Sequence, residues 1–337
     1  MHIQKNVSLK KYNTFGVDIT CKQFICIDKE EELPYLFEDK IFDTRFFILG
    51  GGSNVLFTQD FDGNILHLRT QGIEVCQENV HEVYLKVASG VLWDDFVEFC
   101  IERAYYGVEN LIGIPGLVGS SPVQNIGAYG AELKDVMHAV EGVWIRNRKP
   151  FVFNNVDCKF SYRDSIFKNE LKNQCLLTHV VFKLSKEKHF NLSYRALQEE
   201  LPVKESVLTL RHITQAVMQL RKKKLPDVRK LGSAGSFFKN PLVTQVHFQR
   251  LIQTYPDLVH FPTETGQVKL AAGQLIELAG WKAKRINNVG VYPHQALVIV
   301  NYENARGREI YEFSKEIQKD VFQKFKIQLE PEVNIMF

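Results

Sequence analysis

The sequence predicts an α+β protein of two or three domains, and three observations carry that expectation. The chain has 337 residues, 45% hydrophobic and 24% charged, enough apolar material for more than one core. Stretches of strand-like alternation and of helical periodicity follow one another along its length. Two turns rich in glycine and side-chain amides, at 50–54 and 112–130, interrupt them.

After a polar start, Thr14, Phe15 and Gly16 read as a turn and residues 24–27 as a strand. Residues 30–37 place Leu33, Leu36 and Phe37 behind acidic residues, as a short helix does. The apolar run 45–49 (RFFIL) reads as a buried strand, and Gly50, Gly51, Gly52, Ser53 and Asn54 follow it directly. This β-α-β unit puts its glycine turn at the carboxyl end of a strand, a common place for ligands in α/β sheets. The turn is not the dinucleotide fingerprint, because Val55 stands where the last glycine belongs, nor a P-loop, because no Gly-Lys-Ser/Thr follows. Alone, three glycines after a strand mean a tight turn.

A second unit begins near His81, where Val83, Leu85 and Val87 alternate with Tyr84 and Lys86. Residues 91–103 carry Leu92, Phe96, Cys100 and Trp93, Val97, Ile101 at helical spacing, with Gly107 expected to end that helix. The segment 112–130 (IGIPGLVGSSPVQNIGAYG) crowds Gly113, Gly116, Gly119, Gly127 and Gly130 together, so neither a good helix nor a good strand is expected there. Glycines let backbone N–H groups approach a flat or anionic group closely. Gln124 and Asn125 add amides and Tyr129 adds a ring with a polar tip, an inventory that suits a phosphate-bearing, ring-containing cofactor.

Farther on, residues 140–145 and 151–153 read as a hairpin and 176–184 as a strand. Tyr194 reads as a half-buried tyrosine near a strand end, and Arg163 as the partner of Asp164 in a surface ion pair. Residues 209–224 form an amphipathic pattern with Ile213, Val217 and Leu220 on one face. Helices are expected over 244–255, 270–281 and 307–325, and a strand over 296–300. In the closing segment 327–337, Ile327, Leu329, Val333, Ile335 and Phe337 alternate with Gln328, Glu330, Glu332 and Asn334, which predicts a strand with an acidic outer face. Pro331 can shift the phase of that strand, leaving Glu330 as the alternative to Glu332 for any functional role.

Composition narrows the class. A net charge of +3 is too mild to demand a nucleic-acid or membrane partner. Six basic residues against one acid over 221–230 suit a solvated helix end, and without interleaved aromatics they make a poor RNA patch. The six cysteines lack C-x-x-C or zinc spacing and read as free thiols in a reducing cytoplasm. No metal site is indicated, and no leader or membrane-spanning run is visible. Ser236 lacks a G-x-S-x-G setting, which argues against a hydrolase nucleophile.

Four motifs in one order, LGGGSNVL at 49–56, the 113–130 segment, YRDS at 162–165 and AGSFFKNP at 234–241, resemble the UDP-N-acetylenolpyruvoylglucosamine reductase family in its type I branch. The resemblance spans nearly the whole chain. It implies the FAD-binding, PCMH-type (vanillyl-alcohol-oxidase-like) fold, with subdomains at 1–68 and 69–208, a substrate-binding α/β domain at 209–320 and a closing strand at 321–337 that returns to the active site. It further implies FAD as cofactor and NADPH as co-substrate in a cytoplasmic monomer that makes UDP-N-acetylmuramate for peptidoglycan.

In that family pattern FAD would contact the first turn through Gly50, Gly51, Gly52, Ser53 and Asn54. The second segment would contribute Gly113, Ile114, Pro115, Gly116 and Gly119, then Gln124, Asn125, Gly127, Ala128 and Tyr129, with Arg163 beside them. Tyr194, Arg221, Lys224, Asn240, Lys282 and Gln295 match substrate-contacting positions. The resemblance gives hydride transfer from flavin N5 to the vinyl carbon of UDP-N-acetylglucosamine enolpyruvate, stabilisation by Arg163 and Glu332, and proton delivery by Ser236. Asn334 stands where family members often carry arginine, which puts any contact of that arginine in doubt. A flavin oxidase of the same fold, or a nucleotide-sugar or RNA-binding protein, are the rival readings.

Overall fold

The computed structural model describes residues 1–202, 205–263 and 265–337. The chain divides into two compact units, one of Met1–Val7, Cys21–Gly51 and Asp62–Lys222, the other of Ser8–Thr20, Gly52–Phe61 and Lys223–Phe337. The second unit therefore draws on three separate stretches of sequence.

In the first unit, strands His2–Ser8, Thr20–Ile27, Phe61–Leu68 and Phe46–Ile48 lie in that order, with Phe46–Ile48 running parallel to Phe61–Leu68. Helix Leu33–Glu38 covers the sheet through Leu36, in a core with Ile25, Ile27, Ile41, Leu66 and Leu68. A second sheet is antiparallel throughout, in the order Pro150–Asn154, Met137–Trp144, Cys175–Ser185, Glu82–Ala88, Ile73–Glu78. Helices Trp93–Glu102 and Leu210–Lys224 contribute to the core of this part of the unit. Phe96 and Phe182 lie 4.3 Å apart between ring centroids, with Trp93 at 5.9 Å from Phe182. Burying such side chains contributes roughly 1.5–3 kcal/mol each relative to exposure.

The second unit holds the sheet Gly232–Ser236, Val298–Asn301, Val289–Val291, Arg285–Ile286 and a smaller one of Leu242–Val243, Val268–Leu270, His260–Pro262. Strand Val55–Phe57 pairs in parallel with Asn334–Met336. Helix Gly307–Phe325 buries Ile310, Phe313, Ile317, Val321 and Phe325, whose three- and four-residue spacing makes one continuous stripe. Helix Gln245–Thr254 starts where Thr244 Oγ1 accepts the N–H of His247 at 3.2 Å.

Four expectations need correction. Helix Trp93–Glu102 ends well before Gly107: Ala104 takes up a left-handed conformation (φ 55°) and closes it. Inside the segment expected to be irregular, Val118–Gln124 forms a 3-10 helix, where the Ser120 and Ser121 hydroxyls donate to carbonyls three residues back, each at 2.7 Å. Tyr194 is not at a strand end but stands at the N-cap of helix Arg195–Glu200. Of the closing segment only Asn334–Met336 is a strand; Pro331, which has no N–H to give a ladder, makes a single bridge with Phe238. The burial alternation holds for Ile327, Leu329 and Val333, which are inside, and fails beyond them, where Ile335 is only partly buried and Phe337 is exposed.

The cysteines are free, four of them buried, and burial pushes the thiols of Cys158 and Cys175 up to about 12. Cys76 is exposed. Iodoacetamide is expected to label Cys76 first and to reach Cys158 and Cys175 only on unfolding, as read by peptide mass spectrometry. Early modification of Cys158 would contradict that burial.

Candidate active site

In the first unit the two glycine turns meet. A Cβ added at Gly51 would fall 2.7 Å from Gly116 Cα, and one at Gly50 would fall 3.0 Å from Ser120 Cβ. Their lack of side chains thus first serves backbone-to-backbone packing. The second turn is tied to its neighbours: Trp93 N–H donates to Gly116 O at 3.0 Å, Val118 N–H to Val91 O at 2.9 Å and Gly119 N–H to Ser89 O at 3.0 Å. Ile114 and Pro115 lead directly into the first of these anchors, and Gln124 ends the 3-10 helix.

Asn125 is fully buried and its amide is used inside the protein. Nδ2 donates to Glu132 Oε2 and Ser161 O, both at 3.1 Å, and Oδ1 accepts the N–H of Lys134 at 3.0 Å. Gly127–Ala128 then pairs with Ala131–Glu132, which leaves Tyr129 and Gly130 at the tip of a tight hairpin. Buried Asn110 donates to Tyr129 O at 2.9 Å, a fixing contact that no sequence signal announced. The Arg163 guanidinium donates to Gly127 O, while the Asp164 carboxylate accepts from Asn169 Nδ2 at 2.9 Å and from Ser165 N–H at 3.0 Å. Arg163 therefore faces the glycine-rich segment.

Arg221 reaches this hairpin too. Its guanidinium lies near Tyr129, whose ring meets that of Tyr194 edge-on at 5.3 Å. Burial lowers the pKa of Arg221, opposed by the nearby Tyr129 and Asp94; burial likewise raises that of Tyr129, opposed by Arg221. Lys224 is the last residue of the same helix.

In the second unit, Ser236 ends the strand Gly232–Ser236, opposite Val298, after a register shift that follows Ser233. Phe237 and Phe238, both buried, anchor the chain directly after it. The closing segment runs along them: Glu332 N–H donates to Phe237 O at 2.8 Å, and Lys239 N–H donates to Glu330 O at 2.9 Å. Glu332 is thus placed opposite the residue next to Ser236. The Glu330 side chain is 74% exposed and lies 3.9 Å from Lys239 Nζ.

Asn54, from the end of the first glycine turn, belongs to this group. Its Nδ2 donates to Glu332 O at 3.2 Å, and its carbonyl accepts from both N–H and Nδ2 of Asn334, at 3.1 and 3.0 Å. Asn334 therefore holds the turn. Gly52 keeps its own place because a Cβ there would fall 1.9 Å from Tyr12 O, and Ser53 links it to Asn54. Asn240 Oδ1 accepts the N–H of Ala272 at 2.9 Å, and Gln295 Oε1 lies 2.9 Å from where a Cβ on Gly273 would be, so both amides sit at the start of helix Ala272–Leu278. Lys282 pairs on the surface with Glu277 at 2.7 Å.

Residues 28–144 match a family model described as an FAD binding domain, and residues 227–336 match the UDP-N-acetylenolpyruvoylglucosamine reductase C-terminal domain. Fold and matched domains define an FAD-binding α+β protein with a separate C-terminal domain, as expected from the sequence. The UDP-N-acetylenolpyruvoylglucosamine reductase of Flavobacterium johnsoniae is 44% identical over the full length of both chains. Those of Bacteroides fragilis and Pseudomonas aeruginosa are 41% and 38% identical, each over 99% of this chain and nearly all or all of their own. The chain belongs to the UDP-N-acetylenolpyruvoylglucosamine reductase family. The crystal structure of the Thermus caldophilus reductase shares the fold over the whole of both chains, with a TM-score of 0.70 at 23% identity.

The residues present fit an FAD. Two glycine-rich turns meet at Gly51 and Gly116, where neither residue carries a side chain, and beside Gly90 the hydroxyl of Thr70 is buried with no hydrogen-bond partner of its own. Gly51→Ala is expected to lower the melting temperature and the flavin retained after gel filtration, because its methyl group presses on backbone that cannot rotate away; overpacking of this kind costs about 1–3 kcal/mol. Unchanged melting and flavin content would speak against the close approach.

Proposed function

We propose that this chain reduces the enolpyruvyl ether of UDP-N-acetylglucosamine to UDP-N-acetylmuramate for peptidoglycan synthesis, using bound FAD and NADPH as reductant. The observation that carries the reading is 44% identity to a reductase of that name along the full length of both chains. FAD would be held by the two glycine turns and by Arg163, and when bound it supplies hydride through N5 to the vinyl carbon.

The protein's own residues do the rest. Arg163, a permanent cation capable of two parallel hydrogen bonds, suits a substrate carboxylate. Arg221 and Lys224 suit a diphosphate, with Tyr194 closing on it; Asn240, Gln295 and Lys282 would hold the remaining polar groups. Ser236 Oγ would deliver the proton to the carbon next to the carboxylate, a site basic enough to take it from a hydroxyl whose geometry is held. Glu332 would organise that transfer, as a protonated donor or through water. We assign residues 1–68 and 69–208 to FAD binding, 209–320 to substrate binding and 321–337 to the return of the chain. We further propose a cytoplasmic monomer that uses neither nucleic acid nor membrane; among the described residues no helix is long and apolar enough to cross a bilayer.

A visible absorption spectrum tests the reading. NADPH should bleach a yellow protein and the enolpyruvyl nucleotide should restore the colour anaerobically. Restoration by oxygen alone, with no response to the nucleotide, would make the protein an oxidase instead.

A further inference from the structure

Asp94 lies in the first turn of helix Trp93–Glu102, together with Asp95. Acidic residues there ordinarily favour the helix dipole, and Asp95 suffices for that. The Asp94 carboxylate does something more specific: Oδ1 accepts the N–H of Gly113 at 2.7 Å. Gly113 has a positive φ of 76°, and its open side is filled by the stem of Arg221 together with the Met218 sulfur. A Cβ there would fall 2.8 Å from Arg221 Nε, 2.9 Å from Arg221 Cδ and 2.7 Å from Met218 Sδ. Asp94, the Gly113 peptide and the Arg221 stem are thus stacked in series, with Tyr129 near the guanidinium at the far end.

A long arginine side chain has many rotamers, and fixing it costs entropy that must be offset by contacts. Here a flat glycine surface supports the stem, and that surface keeps its position because a carboxylate holds its N–H. Charge also matters, since Asp94 is close enough to stabilise the cationic form of Arg221 against the burial that disfavours it.

We propose that Asp94 is a positioning residue for substrate binding: by latching Gly113 it holds Arg221 in the orientation that receives the diphosphate. This rests on the proposed reductase activity, in which Arg221 meets that diphosphate. Asp94 itself touches no substrate in this scheme.

The test is equilibrium binding of the enolpyruvyl nucleotide to the oxidised holoprotein by calorimetry, alongside KM and kcat. Asp94→Ala should weaken nucleotide binding about tenfold, as loss of a hydrogen bond to a charged group does, while the KM for NADPH stays within about twofold. Asp94→Asn, which keeps an acceptor for the Gly113 N–H, should stay within about threefold of the parent. In an Arg221→Ala background, Asp94→Ala should have almost no further effect, because the group it positions is gone. Undiminished weakening in that background, or Asp94→Asn as damaging as Asp94→Ala, would overturn the latch. If the parent protein neither binds nor turns over the nucleotide, the reductase reading fails first; normal turnover with an indifferent Asp94→Ala sinks only the latch.

Discussion

Ser236→Ala should leave FAD binding and bleaching by NADPH nearly intact while slowing turnover of the enolpyruvyl substrate by several orders of magnitude. General acid catalysis typically contributes about 10²–10⁴-fold, and no second hydroxyl on the strand Gly232–Ser236 is set to replace this one, since Ser233 is buried. The backbone should not move. Phe237 N–H donates to Leu297 O at 2.8 Å and the two following phenylalanines are buried, so the fold does not depend on the Ser236 hydroxyl. Stopped-flow absorbance separates the two half-reactions. Equal loss in both would show the serine to be structural.

Glu332→Gln is expected to slow the second half-reaction by about 10²-fold or more, with Glu330→Gln within about twofold of the parent. The order follows from where the backbone puts each side chain. Glu332 is bonded to Phe237, one residue from Ser236, whereas Glu330 lies mostly in water beside Lys239. An exposed pair of that kind is worth about 0–1 kcal/mol. The reverse order would mean that Pro331 shifts the phase of the closing segment and that Glu330 carries the role.

Much of this was legible because periodicity is local. The stripe of helix Gly307–Phe325 and the alternation of Cys175–Ser185 can be read from residues that touch within a few positions of one another. Strand pairing between distant residues was not legible: nothing in Val55, Leu56 and Phe57 says that Asn334, Ile335 and Met336 lie beside them in parallel. The glycines were half legible. Their crowding marked a special backbone, but sequence could not tell that Gly51 and Gly116 are small for each other's sake before any ligand's. Asn125 likewise looked like a ligand amide, and its hydrogen bonds are spent on Glu132, Ser161 and Lys134. Asp94 gave no signal, since an acid at the start of a helix is ordinary.

Residues 8–20 and 52–61 find partners far along the chain. Thr14 O accepts from Ser233 N–H at 3.0 Å, Phe15 O accepts from Asn301 Nδ2 at 2.9 Å, and Val55–Phe57 has Asn334–Met336 as its partner strand. During synthesis residues 14 and 15 must wait for Ser233 and Asn301, and residues 55–57 wait longer still, for Asn334–Met336. A nascent chain stalled short of Asn334 should therefore stay protease-sensitive at residues 55–57 after residues 14 and 15 have found their partners.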